Sequence, residues 1–127
     1  MRKLEGMRAE ALPPEWYGPE EARDVLVCWG STYGPCREAV DLLNGSGTSV
    51  PKQNRPVAML HFSQVWPIGE RAHEMLGRAE RVTSVECNQT GQFAGLLKEV
   101  GAVRDCALIT RYDGLPFTGE EIARRWA

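Results

Sequence analysis

From Asp24 onward, short apolar runs alternate with amphipathic segments, and this alternation constrains the fold more than any other property of the sequence. Asp24 to Trp29, Val57 to Phe62, Val82 to Glu86 and Cys106 to Thr110 have strand length and a mostly apolar or β-branched make-up. The stretches between them read as helices. Pro35 suits a first helical position, and Cys36, Ala39, Val40 and Leu43 share one face of the segment that follows. Trp66-Pro67 opens a second segment, with Ile68, Ala72, Met75, Leu76 and Ala79 at helical spacing. Thr90 is placed to cap a third, whose face is Phe93, Leu96, Leu97 and Val100. Asn44-Gly45 ends the first helix as a left-handed cap would, and Gly101 closes the third. Strands that alternate with helices imply crossover connections and a mainly parallel sheet. The expected fold class is α/β: a three-layer sandwich around a mostly parallel sheet of four or five strands.

The flanks read differently. Residues 20–127 form the expected single α/β domain, and residues 1–19 a linker or the end of a preceding segment. Leu12-Pro13-Pro14-Glu15-Trp16-Tyr17-Gly18-Pro19 is expected to hold no regular element, because each proline removes a donor and restricts its neighbour. Trp16 and Tyr17 are expected to pack on a neighbour, and with Trp66 and Trp126 to be candidates for exposure in an isolated domain. Gly45 to Pro56, rich in Gly, Ser and Pro, reads as an exposed mobile loop with nothing to bury. Thr118-Gly119-Glu120-Glu121 is a capping-box pattern that begins a last short helix ending near Trp126.

Bulk properties narrow the function classes. A chain of 127 residues can bury a sizeable core without disulfides or metal. With 15 Lys and Arg against 17 Asp and Glu, the net charge of −2 gives no basic surplus for a run of phosphates, which argues against nucleic acid as a partner. No apolar run approaches the roughly 20 residues that span a bilayer. No apolar signal-peptide core follows Arg2 and Lys3. No membrane association and a cytoplasmic location are therefore expected. Cys28, Cys36, Cys87 and Cys106 form no C-x-x-C pair and read as free thiols in a reducing compartment.

Two strand ends carry the chemistry. Gly30-Ser31-Thr32-Tyr33-Gly34 combines glycines and hydroxyls at a helix start, which suits an anion cradle, a partner contact or a turn that merely caps the helix. It lacks the residues of a Walker loop or a G-x-G-x-x-G motif. Glu86-Cys87-Asn88-Gln89-Thr90-Gly91-Gln92 ends the third apolar run, and a parallel sheet places it on the same edge. It reads as a hydrogen-bonded interface or binding loop, as simple capping, or as the site of a reactive Cys87 thiol. His61 and His73 are the only histidines, which poorly supports zinc ligation or a Ser-His-Asp arrangement.

Four motifs occur in order: Trp29-Gly30-Ser31-Thr32-Tyr33-Gly34, Val65-Trp66-Pro67, Glu86-x-Asn88-x-x-Gly91-Gln92, and Tyr112-Asp113-Gly114-x-Pro116-Phe117-Thr118. Together they resemble the C-terminal domain of the α subunit of 2-oxoacid:ferredoxin oxidoreductases, a domain similar to the C-terminal domain of transketolases. The resemblance covers about residues 18–122. It implies oxidative decarboxylation of a 2-oxoacid to an acyl-CoA by the whole complex, with thiamine diphosphate, Mg and iron–sulfur clusters held elsewhere and none in this chain. It also implies the α subunit's N-terminal domain and the β subunit as partners, with ferredoxin and CoA serving the complex. The chain would then be a fragment or a small separate subunit, with no catalytic, cofactor-binding or metal residue of its own. The family usually has asparagine where this chain has Cys87, and the loop from Gly45 to Pro56 is longer than the family's turn.

The contact residues implied are Gly30, Ser31, Thr32, Tyr33 and Gly34 from the first strand end, Glu86, Asn88, Gln89, Gly91 and Gln92 from the third, and Asp113 and Phe117 from the tail. Three functional readings stand at this point. One is a non-catalytic assembly domain of such an oxidoreductase. Another is a stand-alone module binding an anion or nucleotide, and the third is a thiol enzyme built on Cys87. A homodimer of the isolated domain is a further expectation.

Overall fold

Four parallel strands form the centre of the computed structural model, which describes residues 13–63, 68–87, 90–111 and 113–126. The strands are β1 (Glu15–Tyr17), β2 (Asp24–Trp29), β3 (Val57–Phe62), β4 (Arg81–Glu86) and β5 (Ala107–Thr110). A single 3-10 turn over Gly30–Thr32 leads into helix α1 (Tyr33–Leu43), and α2 (Glu70–Gly77), α3 (Gln92–Glu99) and α4 (Gly119–Trp126) follow. The sheet order is β1-β3-β2-β4-β5, parallel except for β1.

Val25, Leu26, Val27 and Cys28 of the central strand β2 are all 0% exposed, which is why that strand reads as an unbroken apolar run. Its alternate residues feed two cores. Leu26, Cys28, Met59, Val85 and Ile109 pack under α1 and α4, against Val40, Leu43, Ile122 and Trp126. Val25, Val27, Leu60 and Phe62 pack on the other face, against Leu76, Phe93 and Leu97 of α2 and α3. This is the expected three-layer α/β sandwich. Gly45 and Gly101 end α1 and α3 in matching ways. Each takes a positive φ, and the next residue's N–H reaches back to a carbonyl of the last turn, Ser46 to Asp41 and Ala102 to Leu97.

Several local expectations are corrected. Residues 15–17 form a strand, with Trp16 opposite Leu60 in an antiparallel edge pair. The prolines flank this strand rather than interrupt it, and an edge position tolerates their missing donors. Trp16 packs towards one core and Tyr17 towards the other, as neighbours in a strand must. The loop from Gly45 to Pro56 is anchored: Val50 is 2% exposed and lies in the core under α1. Trp126 is buried at 3% exposure, while Trp66-Pro67 lies outside the described residues and α2 begins at Glu70. None of the described helices is long and apolar enough to cross a membrane.

The connections out of β2 and β4 diverge. The chain leaves β2 through α1 to reach β3 on one side, and leaves β4 through α3 to reach β5 on the other. The carboxyl ends of β2 and β4 are neighbours at the point where strand order reverses, the position where open α/β sheets form a crevice.

Candidate functional site

The β2 end of this crevice is a turn that holds itself. Gly30 has φ +67, a left-handed conformation that suits glycine, and it lets the chain reverse directly after the strand. Thr32 is buried and its hydroxyl donates to the Trp29 carbonyl at 3.0 Å. From below, His61 Nε2 lies 3.4 Å from the Gly30 carbonyl oxygen, and the Tyr33 ring meets the His61 ring edge-on at 4.8 Å. The Tyr33 hydroxyl points away, to Glu15 Oε1 at 3.4 Å. What faces the solvent is therefore Ser31 and the Trp29 ring, which is 42% exposed.

The β4 end is organised by one buried carboxylate. Glu86 is 1% exposed. Its Oε1 accepts from the Phe93 N–H at 2.7 Å, and its Oε2 from the Ala94 N–H at 3.0 Å and the Ser84 hydroxyl at 2.8 Å. These two amides are orphan donors of the first turn of α3, so Glu86 caps that helix from the preceding strand. Thr90 does not occupy the N-cap as the sequence suggests; Gly91 does, at φ 63 and ψ 47. A methyl group at Gly91 would stand 2.6 Å from Leu108 Cδ1, so no side chain fits at that cap position without displacing its neighbour. The capping oxygen has to come from elsewhere, and Glu86 supplies it.

Between the two ends lies a cleft of about 260 Å³. Trp29 to Thr32 form one wall, and Glu86, Cys87 and Gln92 the other, with Val85 between them. Gly30 and Gly34 leave open space, since a methyl group at either would touch nothing within 4 Å. The wall offers an aromatic face, a hydroxyl, a thiol and an amide. No Lys or Arg is among its described lining residues.

The remaining sequence candidates fall elsewhere. Asn88 and Gln89 lie outside the described residues, as does Tyr112. Tyr33 faces the β1 side of the molecule rather than the cleft. Phe117 is 4% exposed and belongs to the core under α4. Asp113 sits beyond β5, where it accepts from Arg111 at 3.4 Å and from the Leu115 N–H at 3.0 Å. Arg111 also pairs with Glu121, so this corner is a surface ion network. The structure thus unites Gly30, Ser31, Thr32, Glu86 and Gln92 at the cleft, and Gly91 is buried at the N-cap of α3. Trp29 and Val85 are cleft residues absent from the expected contacts, although Trp29 opens the first motif and a tryptophan ending an apolar run before a glycine was a usable signal.

The thiols divide by burial. Cys28 and Cys36 are fully buried, and the hydrogen bond to Cys28, with burial, pushes the Cys36 thiol far above its ordinary range. Burial also raises Cys106, to about 11. Cys87 is exposed on the cleft wall. Among the described residues, no cluster of His, Cys, Asp and Glu is arranged to hold a metal ion.

No family model matches the chain. It is 32% identical over 122 residues to the α subunit of 2-oxoacid:ferredoxin oxidoreductase 2 of Aeropyrum pernix, a match that covers 90% of this chain and 17% of that protein. It is 33% identical over 104 residues to 2-oxoglutarate oxidoreductase subunit KorA of Mycobacterium tuberculosis, covering 82% of this chain and 14% of that one. Among solved structures, a 2-oxoglutarate:ferredoxin oxidoreductase from Magnetococcus marinus, with 2-oxoglutarate, coenzyme A and succinyl-CoA bound, superposes with a TM-score of 0.76 at 27% identity. That superposition covers 92% of this chain and 19% of the other. The chain therefore spans about one seventh to one sixth of the length of these two curated relatives.

Proposed function

We propose, from homology to 2-oxoacid:ferredoxin oxidoreductase α subunits over most of the chain, that this domain is a non-catalytic assembly module of such an enzyme. The observation that carries the reading is the asymmetry of coverage: 90% of this chain matches 17% of its relative. One folded unit of a much larger subunit is matched almost whole. On this reading it is the transketolase-like C-terminal domain, and its partners are the N-terminal domain of the α subunit and the β subunit. The complex as a whole oxidises a 2-oxoacid, with CoA and ferredoxin as co-substrates.

The cleft chemistry supports a contact surface. Thiamine diphosphate with Mg needs cationic or amide donors for the diphosphate and carboxylate or amide oxygens for the metal. The cleft's described lining has no cation and a single side-chain amide, Gln92, too few donors for a diphosphate, and the Glu86 oxygens are engaged with two backbone amides and a hydroxyl. These residues do not fit that group, and the same lack of positive charge weighs against the stand-alone anion-binding reading. An exposed tryptophan beside glycines, ringed by neutral polar groups, is suited to protein contact.

The test uses the purified chain. It is expected to bind no thiamine diphosphate by calorimetry and to oxidise no 2-oxoacid when supplied with Mg, CoA and ferredoxin. Mixed with the rest of the α subunit and the β subunit, it is expected to co-elute with them in gel filtration. Cofactor binding or turnover by the chain alone overturns the non-catalytic part, and failure to co-elute overturns the assembly role.

A further inference from the structure

We infer that Glu86 is the positioning residue of the cleft: it holds the end of β4 against the first turn of α3, places Gln92, and through this sets the strength of partner docking. The docking part rests on the assembly reading above; the positioning part stands without it. A carboxylate at 1% exposure costs several kcal/mol of desolvation, offset only when its oxygens are fully hydrogen-bonded. A Ser, Thr or Asp at the N-cap would stabilise α3 without that cost. Leu108 occupies the space where such a side chain would begin, and Gly91 holds the left-handed conformation there. The cap has moved to the last residue of β4, seven positions before Phe93.

That displacement has a mechanical result. A local cap fixes only its own helix turn. Glu86 bonds the end of β4 to the first turn of α3, so strand end and helix start are held together by two hydrogen bonds, at 2.7 and 3.0 Å. Ser84, two residues back on the same strand face, orients the carboxylate with a third. Gln92 is the first residue of α3 and lines the cleft, so its position follows from the same bonds. The opposite wall is held separately, by the Thr32 hydroxyl on the Trp29 carbonyl. Glu86 thus ties that wall of the cleft to β4.

Glu86→Gln preserves size but places an amide NH2 against one of the two backbone N–H donors. Ser84→Ala is the milder variant, which removes a donor and keeps the carboxylate. Amide hydrogen exchange on the intact chain is expected to quicken about tenfold in the first turn of α3 in Glu86→Gln, and less in Ser84→Ala. The amides of β2 and β3 are expected to keep their protection. Affinity for the rest of the α subunit, by calorimetry, is expected to fall in the same order. Unchanged exchange in the first turn of α3 in both variants overturns the inference, whether or not a partner binds. Quickened exchange with undiminished affinity overturns the docking part. If the unaltered chain binds no partner, the assembly reading fails, and the exchange data still decide what Glu86 positions. Should Glu86→Gln lose protection throughout the sheet, Ser84→Ala decides: quickened exchange confined to the first turn of α3 supports positioning, and exchange spread over the sheet overturns it.

Discussion

The Arg81 guanidinium lies 3.9 Å from the centre of the Trp126 ring and donates to the Trp126 carbonyl at 2.8 Å. One side chain from the start of β4 thus covers the last aromatic of α4 and satisfies a carbonyl at that helix's end, where a positive charge complements the dipole. The two residues contribute unequally. Trp126 is 3% exposed and fills the core under α1 and α4, whereas Arg81 is exposed. Trp126→Ala is expected to lower unfolding free energy by about 3–5 kcal/mol, the usual loss for a buried tryptophan. Arg81→Ala is expected to cost about 1 kcal/mol. Urea unfolding of the two variants checks this, and a Trp126→Ala loss no larger than about 1 kcal/mol would show that the core does not depend on the ring.

Two glycines of the cleft differ in what surrounds them. Gly30 and Gly91 have nearly the same φ, +67 and +63, so alanine strains the backbone alike at both, by about 1–2 kcal/mol. At Gly30 the added methyl meets nothing within 4 Å. At Gly91 it meets Leu108 Cδ1 at 2.6 Å and Cδ2 at 2.8 Å. Gly91→Ala is therefore expected to be the more destabilising, and a Leu108→Ala background to remove the difference. A double-mutant cycle measures the coupling. A gap that persists without Leu108 would place the strain elsewhere.

The strands, the sheet's parallel character and the helix stops were legible because each leaves a local trace. Val25 to Cys28 is an apolar run of strand length, and Gly45 and Gly101 sit where left-handed caps belong. What was illegible depends on distant partners. Glu15 to Tyr17 forms a strand only because β3 offers an unpaired edge. Val50 is one apolar residue among polar ones, and its burial follows from where the loop is tied. The Glu86 cap acts across seven residues, outside any capping pattern, so the sequence pointed to Thr90 instead. Both cleft walls could be named in advance because both end strands. The distance of Asp113 and Phe117 from them could not, since it depends on how the chain turns after β5.

The thiols are expected to react in an order fixed by burial. Cys87 is exposed and is expected to be alkylated first at neutral pH. Cys28 and Cys36 are expected to react only after unfolding. Cys106 adds a pH effect. Burial raises its folded-state pKa from about 9 to about 11, so between those values the folded chain keeps a proton that the unfolded chain releases. Stability contributed by this group is then complete below pH 9 and declines as pH rises towards 11. Cys106→Ala is expected to show a shallower loss of stability over that window than the unaltered chain, measured as the shift of the urea midpoint. Parallel pH curves would show that the Cys106 thiol is not held protonated by the fold.

Asn44 ties the end of α1 to the start of β3 by imitating a strand. Its Nδ2 donates to the Val57 carbonyl at 2.9 Å and its Oδ1 accepts the Val57 N–H at 2.9 Å. Val57 is 0% exposed, so both backbone groups depend on this side chain for a partner on that side. Asn44→Ala is expected to cost about 1–3 kcal/mol, the usual loss when buried backbone groups lose their partner. Asn44→Asp separates the two bonds. At neutral pH the introduced carboxylate can still accept from the Val57 N–H, but it faces the Val57 carbonyl with no proton to give. As pH falls through the ordinary carboxylate range near 4, the carboxyl group gains a proton and can donate again. The deficit of Asn44→Asp relative to the unaltered chain is therefore expected to narrow on acidification, while that of Asn44→Ala stays constant. Urea midpoints at pH 7 and about pH 4 distinguish the two. A deficit for Asn44→Asp that does not narrow would mean that the donated bond, unlike the accepted one, contributes nothing to holding β3 in place.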